Sequence, residues 1–259
     1  MSHFLREVTK AIPRVLKSPL QGLEIFWRRL FPFGIKPKDP EAYRIGSWSY
    51  GNLPREPVQE VFPGIEEIDL ELKRIFDRHL WTSLDDREVL ILAAVAKLFE
   101  AKTILEIGTY EGNTALNLAV NSPPDAVITT VDLPPDWDGK LGLKVPEIKV
   151  NVGDRAKIGS QFKGTPYAEK INSVFGDSAT LDWSQLSGPF DIVFIDGCHD
   201  YAYVKSDTQN ALQNLKPKGL LIWHDYGMYK DVSRFVDEVA KEMRVKAVKG
   251  TRLAVGFLD

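Results

Sequence analysis

The chain has a single cysteine, Cys198, in 259 residues. That excludes an intramolecular disulfide and a cysteine-rich zinc site. No stretch is apolar for long enough to span a bilayer. The first residues, Met1 to Pro19, scatter charges where a secretory signal would carry an unbroken apolar core. A cytoplasmic location is therefore expected. An excess of one charge is also missing: 33 Lys and Arg stand against 36 Asp and Glu, a net charge of −3. A dedicated nucleic-acid binder, normally strongly basic, is not expected. There is no internal repeat and no low-complexity tract. What remains is a globular mixture, 44% hydrophobic and 27% charged, which rules out disordered and fibrous classes.

The charges that are present are unevenly placed. Residues 1–38 hold eight Lys and Arg against Glu7 and Glu24, a balance of +6, so the other 221 residues carry −9. Leu5, Val8, Ile12, Val15 and Leu16 recur there at helical spacing. A basic amphipathic segment suits an anionic membrane surface, or a groove on this chain or on a second subunit of a homo-oligomer. Packing on protein is the favoured expectation, because Pro13 and Pro19 interrupt the helix. Residues 32–64, rich in Pro, Gly and aromatics, predict an irregular connector. A helix is predicted over Ile65–His79, with Ile65, Ile68, Leu72, Ile75 and Phe76 on one side. A second runs from about Asp85 to Glu100, opened by a capping box of Ser83 and Asp86.

From residue 103 short apolar strands alternate with helices. Strands are expected at Thr103–Ile107, Val127–Val131, Ile171–Phe175, Asp191–Ile195, Leu220–Trp223, Val245–Val248 and Leu253–Leu258. Helices are expected at Gly112–Val120, Tyr167–Lys170, Ala179–Gln185, Tyr201–Asn214 and Val232–Met243. The alternation predicts a doubly wound, mostly parallel α/β sheet. The last two strands are joined by Lys249-Gly250-Thr251-Arg252, short enough only for an antiparallel hairpin. The predicted division is an N-terminal helical and irregular extension over 1–80 and an α/β domain over 81–259.

The segment from Thr103 to Ala115 reads as strand, glycine turn, helix, the place where doubly wound folds bind nucleotides. A pyrophosphate fingerprint needs G-x-G-x-x-G. Here Gly108 and Gly112 are present, but Tyr110 fills the middle glycine position, and no Gly-Lys-Ser/Thr follows. This disfavours an NAD-dependent or nucleotide-sugar oxidoreductase. Glu106 beside the turn repels phosphate and suits an ammonium group. A nucleoside with a cationic tail fits, and S-adenosylmethionine has that character. Asp132, ending a strand 24 residues after Gly108, suits the two ribose hydroxyls. Asp177 and Ser178 follow the next strand, placed to reach the adenine edge, and Asp196 ends the strand after that. The candidate cofactor set is Glu106, Gly108, Thr109, Tyr110, Gly112, Asn113, Asp132, Leu133, Asp177, Ser178 and Asp196.

On these residues, from about 83 to 259, the chain resembles the class I S-adenosylmethionine-dependent methyltransferases. The runs Phe194-Ile-Asp-Gly-Cys-His-Asp-Tyr201, Val204-Lys-Ser-Asp207, Leu215-Lys-Pro-Lys-Gly219 and Trp223-His-Asp-Tyr226 are similar to the small-molecule O-methyltransferases of the type 24 domain group. The resemblance implies a seven-stranded sheet with an antiparallel last strand and a small-molecule or sugar hydroxyl as acceptor. Lys218 departs from it, standing where a second glycine is common. The long segment Pro134–Thr165 is expected to form part of the substrate wall.

Asp196, His199 and Asp225 are the catalytic candidates. The two aspartates end adjacent predicted strands, and His199 lies in the following loop. His199 suits the base that removes the acceptor's proton. Alternatively Asp196 and Asp225 hold Mg²⁺, which would lower the pKa of the bound hydroxyl. Related O-methyltransferases use a metal in this way, but their Asp-Asn pair is Asp225-Tyr226 here. His224 is expected to bond backbone, Cys198 to be a small packed residue and Asp207 a solvated helical carboxylate. Tyr201 is placed to line the acceptor pocket. Trp48, Trp81, Trp137 and Trp183 read as core or lid residues. A non-catalytic nucleoside-binding protein that uses residues 1–38 for interaction is the reading from a different class.

Overall fold

The computed structural model describes residues 50–74, 84–145 and 154–258. Expectations for residues 1–38, Trp48, Trp81 and Ser83 lie outside these, as do residues 75–79 of the first predicted helix and 146–153 of the long segment.

The elements begin with β1 (Arg55–Glu56) and α1 (Val58–Val61), then α2 (Asp86–Leu98), β2 (Thr103–Ile107), α3 (Asn113–Asn121) and β3 (Val127–Asp132). They continue with β4 (Ile171–Phe175), β5 (Phe190–Ile195), α4 (Tyr201–Asn214), β6 (Leu215–Trp223), α5 (Lys230–Val239), β7 (Arg244–Val248) and β8 (Ala254–Phe257). One eight-stranded sheet runs in the order β1-β7-β8-β6-β5-β2-β3-β4. Only β8 is antiparallel to its neighbours. The seven expected strands are all present, and the eighth is β1, pairing with β7 inside the stretch expected to be irregular.

Side chains alternate across the sheet, as strand geometry requires. Ile104, Phe194 and Ile222 face a layer containing α2 and α3, and Phe62 and Ile65 join that core. Leu105, Val193 and Leu221 face a second layer containing Val204 and Ala211 of α4 and Val232, Phe235 and Val236 of α5. Residues 50–74 thus pack on a body that the predicted boundary at residue 80 would separate from them. Lys218 sits at φ +63. There β6 bulges, its partner on β5 jumping from Phe190↔Leu215 to Ile192↔Leu220.

Several expected helices are shorter. The described part of the predicted helix, residues 65–74, holds a 3₁₀ turn at Ile65–Glu67, after which the chain runs without helix to Arg74. That extended run is held by α3. Asn121 and Asn117 each accept from and donate to the backbone of Glu71 and Lys73, and Asn113 donates to the carbonyl of Arg74. Side-chain amides spaced four apart on α3 thereby replace the segment's own helical bonds. Ala179–Gln185 and Tyr167–Lys170 shrink to 3₁₀ turns at Trp183–Gln185 and Ala168–Lys170. The capping box of α2 is Asp85 with Glu88.

Candidate functional site

The chain order places β2, β3 and β4 to one side and β5 and β6 to the other, so strand order reverses between β2 and β5. Such a switch point opens a crevice at the carboxyl ends of the strands. Gly108 lies on it at φ +103, where an added Cβ would come 2.2 Å from the carbonyl oxygen of Asp196. Only glycine fits that approach. Asp196 in turn donates its N–H to the Ile107 carbonyl at 2.8 Å. Gly112 starts α3 at φ +84, facing Phe162. Residues 159–162 lie over this turn, the N–H groups of Gly159 and Gln161 donating to the carbonyls of Tyr110 and Glu111. This is the described part of the expected substrate wall that packs on the glycine loop.

On the β2–β4 side the carboxylates are held by neutral donors, joined at Asp132 by one largely buried cation. Asp132 accepts from the N–H of Tyr110 at 2.8 Å and from Arg155 at 3.2 Å. Arg155 also donates to the carbonyls of Leu133 and Pro134. Asp177 accepts from the N–H groups of Gly142 and Ala179 and from the hydroxyl of Tyr203. Burial and then that bond push the Tyr203 hydroxyl well above its ordinary pKa. Trp183 packs beneath, its indole donating to the Ser178 carbonyl.

Two members of the cofactor set are less open than their sequence positions suggest. Glu106 is 1% exposed. Thr130 donates to it, and Thr130 also meets Thr109 at 2.6 Å. Burial pushes the Glu106 carboxyl up to about 8, with Asp196 and Asp132 adding to the rise. It is a floor residue rather than an open carboxylate. The side chain of Asn113 is turned to the Arg74 carbonyl and is not offered to the crevice.

On the β5–β6 side the three catalytic candidates come together. The Nε2 of His199 lies 2.8 Å from Asp225 Oδ2, and its ring stacks on Tyr229 at 4.0 Å and 16°. One donor atom each from Asp196, His199 and Asp225 falls within 4.8 Å of the others. Asp225 has φ +60, a left-handed turn that ends β6.

Behind these residues lies a buried charged frame. His224, expected to bond backbone, instead places Nδ1 2.8 Å from Asp196 Oδ1 and Nε2 3.0 Å from Glu88 Oε2. Carboxylates only accept, so both ring nitrogens carry hydrogen and the imidazole is cationic. Burial alone would lower its pKa, but Asp196 and Asp225 raise it to about 10. Arg252 donates to Glu88 through its backbone N–H at 2.7 Å, Nε at 3.1 Å and Nη2 at 2.7 Å, and through Nη1 to Asp225 Oδ1 at 3.3 Å. Against the cost of burial, His224 and Arg252 hold the Glu88 carboxylate far below the usual range. His224 and His199 do the same for Asp225.

Other expectations are corrected by position. Asp207 is buried rather than solvated, beside Ser178, and neither carboxyl oxygen has a hydrogen-bond partner. Burial pushes it up to about 7. Tyr201 is turned away from the crevice, bonded to Glu238 and packed edge-on against Phe235. Tyr226 directs its hydroxyl to Asp237 at 2.6 Å and accepts from the Leu53 N–H. Glu88, Arg252, Arg155 and Tyr229 were not singled out from the sequence. The one available signal was a glutamate at the third position of a helix otherwise apolar on that side.

Residues 105–226 match the family model described as a methyltransferase domain. The caffeoyl-CoA O-methyltransferases of Petroselinum crispum and Medicago sativa are 29% and 31% identical over 144 residues, 54% of this chain and 54% and 53% of theirs. The chain spans about half the length of the curated relatives it matches. Among solved structures, the O-methyltransferase from Bacillus cereus in complex with SAH (S-adenosylhomocysteine) superposes with a TM-score of 0.53 at 17% identity, over 80% of this chain and 92% of that one. The O-methyltransferase TomG from Streptomyces achromogenes, in complex with SAM, gives 0.52 at 19% identity over 68% and 82%. These likenesses are of fold, a mostly parallel α/β sheet that closes on the antiparallel strand β8. No described helix is long and apolar enough to cross a membrane.

Proposed function

We propose that the chain is an S-adenosylmethionine-dependent O-methyltransferase acting on a small-molecule hydroxyl. The observation that carries this reading is the His199–Asp225 pair at 2.8 Å, at the same sheet edge as Asp132 and Asp177. Caffeoyl-CoA O-methyltransferases among the relatives support it.

The crevice residues suit the cofactor. Asp132, Asp177 and Asp196 line one edge, and Arg155 is ion-paired to Asp132, so the site favours a cationic nucleoside over a pyrophosphate. When bound, S-adenosylmethionine supplies a methyl group on a sulfonium. Asp132 would take the ribose hydroxyls, and Asp177 with Ser178 would meet the adenine edge. Gly108, Thr109, Tyr110, Gly112 and Leu133 would form the cradle. The protein's part in an in-line displacement is to align the reactants and remove the acceptor's proton. Because Asp225 only accepts, the neutral His199 carries its hydrogen on Nε2. Nδ1 is then the lone pair that takes the hydroxyl proton, while Tyr229 and Asp225 fix the ring.

The donor set does not suit Mg²⁺. Asp225 is engaged on both oxygens by Arg252 and His199, and Asp196 on one by His224. Tyr226 offers no ligand. Methylation is therefore assigned to His199 as base. The test is transfer of labelled methyl to a panel of phenols and sugars by wild type and His199→Asn. Transfer lost in the variant supports the reading. Equal transfer by both would contradict the role of His199.

A further inference from the structure

Three residues that the proposed chemistry does not use directly lie behind the crevice carboxylates. Glu88 comes from the first turn of α2, His224 from the end of β6, and Arg252 from the β7–β8 turn. All three are buried, and each touches the other two or the crevice carboxylates. We infer that Glu88, His224 and Arg252 are positioning residues whose buried cations take the place of a divalent metal, so that this site works without one. The inference rests on the methyltransferase reading for its chemistry, but not for its geometry.

The geometric case is one of occupied ligand positions. A divalent cation between Asp196 and Asp225 would need free carboxylate oxygens. Arg252 lies 3.3 Å and His224 3.5 Å from Asp225 Oδ1, and His199 lies 2.8 Å from Oδ2. His224 lies 2.8 Å from Asp196 Oδ1. One oxygen of Asp196 remains, and Oδ2 of Asp225 is shared only with His199. Displacing the guanidinium or imidazolium would leave a charge buried beside Glu88 with one partner fewer, which is strongly unfavourable.

The charge balance agrees. Three carboxylates, Glu88, Asp196 and Asp225, face two cations, His224 and Arg252. One negative charge is left. A proton arriving on His199 from the acceptor neutralises it. Glu88 does not reach the crevice. Its task is to hold both cations at fixed places, through Arg252 Nε and Nη2 and through His224 Nε2. Preorganised charge of this kind needs no rearrangement at the moment of reaction.

The test uses the full chain, stripped with chelator. Mn²⁺ is titrated in and the free ion is read by electron paramagnetic resonance, with and without S-adenosylhomocysteine. No bound Mn²⁺ is expected at millimolar concentration. One equivalent bound in wild type and lost in Asp196→Asn would overturn the inference. Cofactor binding is read in the same samples by calorimetry, so failure of the methyltransferase reading shows separately, as absence of S-adenosylhomocysteine binding. The positioning role is read by nitrogen NMR of the imidazoles, which the four histidines of the chain make assignable. Wild type should show His224 protonated on both nitrogens and His199 as a single Nε2–H tautomer. Arg252→Gln should turn His199 into a tautomer mixture while leaving S-adenosylhomocysteine affinity within about twofold. A folded Arg252→Gln protein with His199 unchanged would overturn the positioning role. If that variant does not fold, the wild-type Mn²⁺ and imidazole measurements still decide.

Discussion

The two halves of the crevice treat their carboxylates in opposite ways. On the β2–β4 side, Asp177 is held by backbone N–H groups and a tyrosine hydroxyl, and Asp132 by one backbone N–H and the Arg155 guanidinium. These donors can be exchanged for those of a ligand. On the β5–β6 side, Asp196 and Asp225 are fixed by an imidazolium and a guanidinium that are themselves buried on Glu88. The first arrangement is adaptable and suits binding and release. The second is rigid and suits a proton transfer that needs fixed geometry. The difference also predicts which side is fragile.

The largest effect is expected at Glu88. Glu88→Ala removes the shared partner of two buried cations, and breaking such a network should destabilise the fold by about 3–5 kcal/mol. Urea unfolding reads this directly, and a loss under 1 kcal/mol (about the worth of an exposed pair) would erase the contrast. The pH dependence follows from the same groups. Glu88 and Asp225 have lowered pKa values, so their contribution is present above the ordinary carboxylate range and is lost as pH falls through it. His224 is raised from 6.5 to about 10, so its contribution is complete below 6.5 and is lost as pH rises toward 10. Glu88→Ala should remove its own share of the acid limb and leave most of the alkaline limb, which Asp196 and Asp225 set.

Next in size is His199→Asn, expected to lower turnover by roughly 10²–10⁴ while sparing cofactor affinity. A parallel loss of affinity would mean that the two halves are not separate. On the adaptable side, Asp132→Ala should cost about 1.5–3 kcal/mol of S-adenosylhomocysteine binding, the worth of a charged acceptor, with little change in melting temperature of the ligand-free protein. The smallest effect concerns Asp207. Its pKa rises from 3.8 to about 7, so folding takes up a proton between those values and stability falls as pH rises through them. Asp207→Asn should therefore gain stability relative to wild type at pH 8 over pH 4. The opposite trend in a paired melting series would show that the carboxyl is ionised when buried.

The same contrast decides what could be read from the sequence. The β2–β4 half is local: Gly108, Asp132 and Asp177 each follow their own strand, and a strand, a turn and a carboxylate are visible in a short window. The hairpin was legible because four residues between two strands allow nothing else. Asp196, His199 and Asp225 were legible as strand-end residues. The frame behind them was not, because Arg252 and Glu88 are 164 residues apart in sequence, and no periodicity announces a contact that only the closed sheet creates. Asp207 was misread for a related reason: its helix is placed with that carboxylate toward Ser178, which burial by tertiary packing decides. The run after Ile68 carries apolar residues at helical spacing, yet the asparagines of α3 bind its backbone and keep it extended. Tertiary hydrogen bonds there outweigh a weak local propensity.

Calorimetric titration of S-adenosylhomocysteine and, separately, NADH into the full chain tests the central claim most directly. The account predicts one equivalent of S-adenosylhomocysteine bound, strongly weakened in Asp132→Ala, and no heat from NADH. Binding of NADH with none of S-adenosylhomocysteine would contradict it.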